Sequence, residues 1–562
     1  MPAAEPSLPP VTNIAQLCRH WAERTPDVEA VVRVGQGPSP TRIVTFRELD
    51  ERVDRIAAGL VARGFGRGNR VALMVRDGLE FITLTFALFR VGAVIVLIDP
   101  GMGVRPMLDC LASVRPDGFV GVRAAHVARW LSFGKFPRAS KNVCVGPGLP
   151  GVVNLREVER VDAVSTAEAE GGEAAIIFTS GSTGPAKGVL YEHRMFAAQV
   201  RMIRDEYDIR PGTRDLPCFP LFGLFNVGMG VTSVIPPIDM AKPAKADPAV
   251  IVDTVNRFGC ISAYASPAIW RNVTRYCRDG KGDIKRLRQV VSAGAPVPPV
   301  AIRQLRECLS GDAEIHTPYG ATECLPISTI SGTEIATETG DRTEHGHGTC
   351  VGRMFDGVQI KVIEPFDGPI GSISEIKELL TGEIGEVIIK SPSATHEYVD
   401  RPDATAAAKI PNGDGFWHRM GDMGYVDESG RLWFCGRKAH VVHMANGPLY
   451  PVMVEGILVS VAAERRGDWT PFPVAGHGAE GAATAVAVPG PAAPGFGRLV
   501  VQQSVARDAR RQVERLGAIL HDTAIPVDAR HNTKVRRELL TLSAEKHPGR
   551  IEPLSLNSDA DV

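Results

Sequence analysis

The sequence has no excess of either charge: 63 lysines and arginines face 64 aspartates and glutamates, for a formal net charge of −1. That balance gives no support to nucleic acid, or to an anionic membrane, as the main partner. Long uninterrupted apolar runs are also missing. The longest, residues 81–98, is broken by Arg90 and Gly92, and it is expected to form a helix followed by a strand rather than a membrane span, which needs about 20 apolar residues in a row. No Cys-x-x-Cys pair occurs among the ten scattered cysteines (Cys18, Cys110, Cys144, Cys218, Cys260, Cys277, Cys308, Cys324, Cys350 and Cys435). They read as reduced thiols of a cytoplasmic protein, mostly filling small apolar sites. The opening residues, Met-Pro-Ala-Ala-Glu-Pro-Ser-Leu-Pro-Pro, have neither a basic start nor an apolar centre, so they are not expected to act as a signal peptide.

What is present is ordinary in composition, 44% hydrophobic and 23% charged, as in a soluble globular protein. A chain of 562 residues exceeds what one hydrophobic core usually accommodates, so at least two domains are expected. Residues 1 to about 12 are Pro-rich and expected to lack fixed structure. Phe46, Leu49, Val53, Ile56 and Leu60 fall at helical spacing, with Gly64 as a stop. Residues 71–75 and 93–98 read as strands, with Asp77 placed to cap the helix between them. This alternation continues through the first three-quarters of the chain and argues for parallel α/β layers.

One stretch carries more chemistry than the rest. Residues 176–188 read Ile-Ile-Phe-Thr-Ser-Gly-Ser-Thr-Gly-Pro-Ala-Lys-Gly. A buried strand end empties into a loop where the hydroxyls of Thr179, Ser180, Ser182 and Thr183 alternate with Gly181 and Gly184 before Lys187. Glycines let main-chain N–H groups approach anionic oxygens, hydroxyls add donors, and the lysine adds a compact positive charge. The loop therefore suits a polyphosphate. It is not a Walker A loop, because no Gly-x-x-x-x-Gly-Lys-Ser/Thr spacing runs through Lys187.

Further segments follow in order. Residues 292–296 read Ser-Ala-Gly-Ala-Pro, residues 316–323 His-Thr-Pro-Tyr-Gly-Ala-Thr-Glu, and residues 420–425 Met-Gly-Asp-Met-Gly-Tyr. Gly436-Arg437-Lys438 and, near the end, Asp528-Ala-Arg-His-Asn-Thr-Lys534 complete the series. Together they resemble the adenylate-forming superfamily of acyl-CoA synthetases, luciferases and peptide-synthetase adenylation domains. The resemblance implies an α/β fold: a large N-terminal domain, 1–436, of layered and mostly parallel sheets, and a small α+β C-terminal lid, 437–562, bearing the catalytic lysine. It implies ATP and Mg²⁺. Thr179, Ser180, Gly181, Ser182, Thr183, Gly184 and Lys187 would hold the β- and γ-phosphates. Gly294, Ala295, Pro296, Tyr319 and Gly320 would hold adenine, Thr322 a phosphate, Glu323 the metal, and Asp422 and Arg437 the ribose. Lys534 would stabilise charge as a carboxylate attacks the α-phosphorus, with Thr179 and Glu323 beside it.

Several features depart from the family pattern. Residues 216–229, rich in Phe, Leu and Gly, read either as packed core or as an acyl pocket lined by Phe222, Gly223 and Phe225. Gly223 stands where the family often has a histidine, which is expected to leave room for a bulky or branched chain. Ala439 occupies the usual Asp or Lys hinge position, and Asn532-Thr533 replaces the usual Ser-Gly before Lys534. Residues 324–352 read as a long, polar, solvated insertion, with His345 and His347 more plausible as loop than as metal ligands. Residues 441–458 read as strands around an Asn446-Gly447-Pro448 turn, residues 489–497 as a low-complexity loop, and residues 504–520 as a surface helix.

Tyr191-Glu-His193-Arg-Met-Phe, the insertion, and the segment ending at Lys534 resemble one branch, the β-lactone synthetases of bacterial long-chain olefin biosynthesis. That resemblance implies activation of a 2-alkyl-3-hydroxy fatty acid as acyl-AMP, followed by attack of its own 3-hydroxyl to give a β-lactone. The alternative is a long-chain acyl-CoA synthetase or acyl-AMP ligase. The branch further implies assembly with a dehydrogenase and an α/β-hydrolase-fold decarboxylase. His193 and His316 are candidate bases for the 3-hydroxyl only by their nearness to the motifs.

Overall fold

The computed structural model describes residues 8–37, 39–76, 78–161, 169–179, 186–467, 469, 471–477, 484–489, 495–521, 525–526 and 535–554. Two compact units divide the chain. The first comprises residues 1–265, 320–326 and 391–405; the second comprises residues 266–319, 327–390 and 406–562.

In the first unit, a seven-stranded sheet runs in the order Val153–Asn154, Lys141–Val145, Gly118–Val122, Arg70–Met74, Val94–Leu97, Glu173–Phe178 and Gly188–Glu192. All neighbours are parallel except the last pair. These strands are short apolar runs with little alternation, as expected where helices cover both faces. Further strands, Ser262–Ala265, Arg214–Pro217, Thr232–Ile235 and Glu29–Arg33, are also mutually parallel, with Arg42–Thr45 added antiparallel. The helix at Phe46–Val61 opens on a capping box: the Thr45 side chain accepts from the Glu48 N–H, and the Glu48 carboxylate accepts from the Thr45 N–H.

The broken apolar run forms helix Leu79–Arg90 and strand Val94–Leu97. Asp77 lies outside the described residues, and the helix opens at Gly78. Arg90 interrupts the run because it is a fully buried cation. Its guanidinium reaches Asp50 at 2.5 Å and Asp54 at 2.7 Å, both on the preceding helix.

In the second unit, Gln289–Ser292 and Glu314–His316 pair in parallel. An antiparallel sheet follows in the order Thr349–Met354, Leu432–Arg437, Gly415–Val426, Gly385–Lys390 and Gln359–Ile363. A four-stranded sheet, Val474–His477, Thr484–Ala487, Leu516–Leu520 and Ile551–Pro553, lies near the C-terminus. Val454, Ile457, Leu458 and Val461 of helix Pro451–Arg466 share a core with Val474, Ala485, Ala487 and Ile519 of this sheet.

Three local expectations are corrected. The segment 324–352 is not a solvated loop. It holds strand Cys324–Thr329, a run of helical turns over 332–344 and strand Thr349–Met354. Arg431 ties the turns down through Glu334 and Glu338 at 3.1 and 2.8 Å, while also holding Asp427 at 3.0 Å. One of its glycines is structural: a Cβ on Gly352, at φ +80°, would meet the Thr329 carbonyl oxygen at 1.9 Å. Residues 451–458 are helical; Pro451 opens helix Pro451–Arg466 and Gly467 closes it in the left-handed region. Its burial nearly all round hid the helical period. Residues 504–520 are the end of helix Phe496–Val505, a single turn at Val513–Arg515 and strand Leu516–Leu520. The turn brought Val513, Leu516 and Leu520 to helical spacing by coincidence. Among the described residues, no helix is long and apolar enough to cross a membrane.

Replacing Arg90 with Leu is expected to destabilise the fold by about 3 kcal/mol, because Asp50 and Asp54 lose the cation between them. Urea unfolding measures it, and a midpoint equal to wild type would contradict the ion pair's structural role.

Candidate active site

The Gly-rich motif begins where strand Glu173–Phe178 ends and finishes where Gly188–Glu192 begins, with Phe178 opposite Gly188. The Thr179 N–H donates to the Lys187 carbonyl at 3.0 Å, and the Lys187 N–H donates to Thr179 Oγ1 at 3.1 Å. The ends of the motif are thus clasped. Ser180, Gly181, Ser182, Thr183 and Gly184 lie outside the described residues.

A segment that sequence reasoning missed joins this clasp to the Thr322-Glu323 motif. The Val399 N–H donates to the Gly188 carbonyl at 2.8 Å, and the Leu190 N–H to the Glu397 carbonyl at 3.2 Å, so the segment extends the hairpin edge. Between them, the Tyr398 hydroxyl donates to Glu323 Oε1 at 2.7 Å, and Lys187 Nζ lies 4.8 Å from the Tyr398 ring centroid. One side chain therefore meets a carboxylate with its polar tip and an ammonium with its π face. Thr395 donates to the Glu323 carbonyl from both its N–H, at 2.9 Å, and its hydroxyl, at 3.0 Å. The Tyr191 hydroxyl donates to the Thr322 carbonyl at 2.5 Å. Neither Tyr398 nor Thr395 belongs to a periodic pattern; only the aromatic-plus-hydroxyl composition of 393–398 hinted at them.

Tyr319, Asp422 and Arg437 are brought together in the second unit. Asp422 and Arg437 face each other across adjacent strands, with Arg437 Nη1 at 3.0 Å from Asp422 Oδ1 and donating to the Met420 carbonyl at 2.9 Å. The Tyr319 hydroxyl donates to Asp422 Oδ2, and its ring lies 6.0 Å from that of Phe434. Asp422 is buried, so the guanidinium and the phenol supply the partners its charge requires. Gly294, Ala295 and Pro296 follow strand Gln289–Ser292 as a turn; Gly294 and Pro296 are exposed, and Gly294 stands at φ +103°. Gly320 begins the next segment of the first unit. Lys534 lies outside the described residues.

The expected space at Gly223 is filled. A Cβ there would meet Ile82 Cδ1 at 3.2 Å and Ser233 Oγ at 3.6 Å, and Phe225 is buried beside it. Phe222 differs: half-buried, it stacks on Tyr264 at 3.5 Å between centroids, with Phe219 6.2 Å from the same ring. Of the three predicted pocket residues, Phe222 is half-buried on Tyr264 and the buried Phe225 packs edge-on to Phe222 at 5.7 Å, while Tyr264 was missed.

The histidines divide similarly. His193 is buried, edge-on to Phe89 at 5.1 Å, and its Nδ1 accepts from the Ile14 N–H at 3.4 Å. Burial pushes its pKa down to about 4, so it is a neutral core residue rather than an accessible base. His316 is held below its ordinary value by burial too. His345 Nδ1 bonds the Asp341 carbonyl at 2.7 Å, and the His347 ring lies 6.3 Å from that of Trp433, so these two do not converge on a metal.

This order of segments has a known counterpart. The model of the family described as AMP-binding enzyme matches residues 18–399, from the first helix to the segment that carries Tyr398. The chain belongs to the AMP-binding enzyme family. It is an AMP-forming ligase. It is 40% identical over 550 residues to a protein of Stenotrophomonas maltophilia named olefin beta-lactone synthetase, covering 95% of this chain and 98% of that one. A second protein of that name, from Xanthomonas campestris, is 42% identical over 516 residues, covering 89% and 91%. Among solved structures, the amide bond synthetase McbA of Marinactinospora thermotolerans superposes with a TM-score of 0.76 at 21% identity, covering 94% of this chain and 99% of that one. The o-succinylbenzoate CoA synthetase of Bacillus subtilis gives 0.74 at 20%, covering 93% and 97%. These structures share the fold.

Asp422→Ala removes the acceptor that Arg437 and Tyr319 share. It is expected to lower the free energy of unfolding by about 1–3 kcal/mol. Thermal denaturation checks it; an unshifted transition would mean that the pairing contributes no stability.

Proposed function

We propose that this ligase activates a 2-alkyl-3-hydroxy fatty acid as its acyl-AMP and closes that intermediate to a β-lactone, in long-chain olefin biosynthesis. The observation that carries the reading is 40–42% identity, sustained over 95% and 89% of the chain, to two enzymes named olefin beta-lactone synthetase. In the first step a carboxylate oxygen of the substrate attacks the α-phosphorus of ATP and pyrophosphate departs. In the second, the 3-hydroxyl oxygen attacks the acyl carbon, the bond to AMP breaks with its electron pair on AMP, and the hydroxyl proton passes to solvent or to the departing phosphate. The nucleophile is already tethered to its electrophile, which raises its effective concentration and dispenses with a second substrate.

Residues are assigned roles by their chemistry and neighbours. Thr179, Ser180, Gly181, Ser182, Thr183, Gly184 and Lys187 hold the β- and γ-phosphates, a role supported by the clasp that joins Thr179 to Lys187. Glu323 takes Mg²⁺. The donor fits, because a single hard carboxylate suits a magnesium ion shared with nucleotide phosphates. Bound there, the ion neutralises phosphate charge and polarises the phosphoryl oxygens. Tyr398 keeps the Glu323 carboxylate aimed and Lys187 beside it. Thr322 offers its hydroxyl to a phosphate. Gly294, Ala295, Pro296, Tyr319 and Gly320 take the adenine, whose flat ring suits an exposed, small-residue turn. Asp422 and Arg437 take the ribose, an acceptor for paired hydroxyls set against a fixed cation. Lys534 supplies positive charge to the transition state. Phe219, Phe222 and Tyr264 offer an aromatic wall for the acyl chain.

The assigned domains are 1–436 for adenylation and 437–562 as the lid. Lys438, next to Ala439, ion-pairs with Glu386 at 3.1 Å and Asp367 at 3.0 Å and donates to the Phe366 carbonyl. A hinge anchored on one side and uncharged on the other supports a reaction without a second large rotation. The setting is cytoplasmic, in keeping with ten free cysteines. A dehydrogenase and an α/β-hydrolase-fold decarboxylase are the proposed partners.

Incubation with ATP, Mg²⁺ and a synthetic 2-alkyl-3-hydroxy acid, without CoA, is expected to release AMP and a product with a lactone carbonyl band. Acyl-AMP alone, or product only on adding CoA, would overturn the reading, and a thioester would favour an acyl-CoA synthetase. Lys534→Ala is expected to lower kcat by about 10²- to 10³-fold with little change in melting temperature. Tyr398→Phe, which keeps the ring under Lys187, is expected to raise the Mg²⁺ concentration for half-maximal rate several-fold while leaving the KM for the acid unchanged; an unaltered Mg²⁺ dependence would remove Tyr398 from the site.

A further inference from the structure

Helix Arg123–Leu131 is inverted relative to an ordinary surface helix. Its inward face carries Ala125, His126 and Arg129. The His126 ring meets the Val143 carbonyl at 3.0 Å, and the Arg129 guanidinium lies 5.9 Å from the Phe119 ring centroid. Its outward face carries Val127, Trp130 and Leu131, which fall on one side by their spacing of three and four. These are 38%, 41% and 73% exposed, and Phe133, two residues past the helix, is 90% exposed. Scattered exposed apolar residues need no explanation, but four adjacent ones including two aromatics, on a helix that turns His126 and Arg129 inward, mark an interaction surface.

The charge around that face selects the partner. Between Arg123 and Lys141 there are five cations (Arg123, Arg129, Lys135, Arg138 and Lys141) and no carboxylate, in a chain whose net charge is −1. Lys135 pairs with the exposed Asp109, and the exposed Arg138 with the half-buried Asp117. Arg123 is exposed and matched by no carboxylate among the described residues; Arg129 lies inward, between the Phe119 and Trp130 rings, and the half-buried Lys141 donates to Asn69 Oδ1 at 2.6 Å. The balanced total charge therefore hides a local excess of cations, of which Arg123, Lys135 and Arg138 are exposed, on the helix and just after it.

We propose that the outward face of helix Arg123–Leu131, with Phe133, docks the enzyme on an anionic lipid surface, the apolar side chains entering the headgroup–acyl boundary and the flanking cations meeting lipid phosphates. An interfacial helix combines these two features: Trp, Phe and Leu on the buried side, and Lys and Arg at the rim. The helix lies along the surface and spans nothing. The face belongs to none of the segments assigned to nucleotide or acid, so the proposal stands independently of the reaction. A long-chain acid partitions into bilayers, so docking would place the enzyme where such a substrate is concentrated.

The test is flotation of the full-length protein with vesicles of phosphatidylcholine containing about one-third phosphatidylglycerol, and with vesicles of phosphatidylcholine alone. Wild type is expected to float with the anionic vesicles and less with the neutral ones, and high salt should weaken the binding. Combining Trp130→Ser, Leu131→Ser and Phe133→Ser should reduce binding at least about tenfold without changing the melting temperature, since all three side chains are exposed. Combining Arg123→Glu with Lys135→Glu is a second, independent variant that should remove the preference for anionic lipid. Absence of flotation by wild type, or equal flotation by the triple variant, overturns the proposal. It is also overturned if wild type forms an oligomer in sedimentation velocity that the triple variant disperses, because the face would then be a protein interface.

Discussion

A single phenol joins the two charged groups on which the first unit's site depends. Tyr398 presents its hydroxyl to the Glu323 carboxylate and its ring face to the Lys187 ammonium, and it is held by backbone pairing to the strand that follows the Gly-rich motif. An acid and a base left to themselves could collapse into a direct ion pair, and each would then be occupied. Interposing an aromatic ring keeps both near one another with their charges available. The cation–π contact is worth about 0.5–1 kcal/mol where water has access, too little to resist a polyphosphate and enough to bias a long lysine rotamer.

The second unit solves a related problem differently. Asp422 is buried and could not remain charged without partners, and Arg437 and Tyr319 provide them from the neighbouring strand and from a separate segment. Arg437 is in turn fixed by the Met420 carbonyl. The acceptor is thus oriented before any ligand arrives. Preorganisation of this kind lowers the cost of reordering side chains on binding. The next residue, Lys438, is tied to Glu386 and Asp367, so two consecutive cations are anchored at the end of strand Leu432–Arg437.

Much of this was legible in the sequence because the motifs are local. The strand before the Gly-rich loop and the helix at Phe46–Val61 follow from short patterns, whereas Asp422 and Arg437 were linked only through the family resemblance, and their strand pairing was seen only in the structure. Tyr398, Thr395 and Tyr264 were not legible, since their partners are remote in the chain and a lone aromatic gives no period. The errors have the same origin. Gly223 looked like empty space because a sequence shows a missing side chain but not the Ile82 that fills its place. Residues 324–352 looked like loop because their glycines, threonines and charges are those of a loop. There the ordering force is Arg431, nearly a hundred residues downstream. The inverted helix at Arg123–Leu131 escaped notice because its apolar residues have normal helical spacing, and only the structure shows which way they face.

The departures from the family pattern converge on one requirement. A ligase that hands its acyl group to a separate thiol must admit a second substrate, and a charged hinge helps it turn between two arrangements. A substrate carrying its own nucleophile needs only that water be kept from the acyl-AMP until the ring closes. Ala439 beside an anchored Lys438 suits an enzyme with one productive arrangement. The neutral, buried His193 suits it too. Ring closure of a mixed anhydride expels AMP, a good leaving group, and the hydroxyl proton becomes acidic only as the new bond forms. A strong resident base would add little to that step and would activate stray water against the same carbonyl. The selective pressure would fall instead on holding AMP, the role proposed for Asp422 and Arg437, and on shaping the acyl chain so that the 3-hydroxyl lies closer to the carbonyl than any solvent molecule.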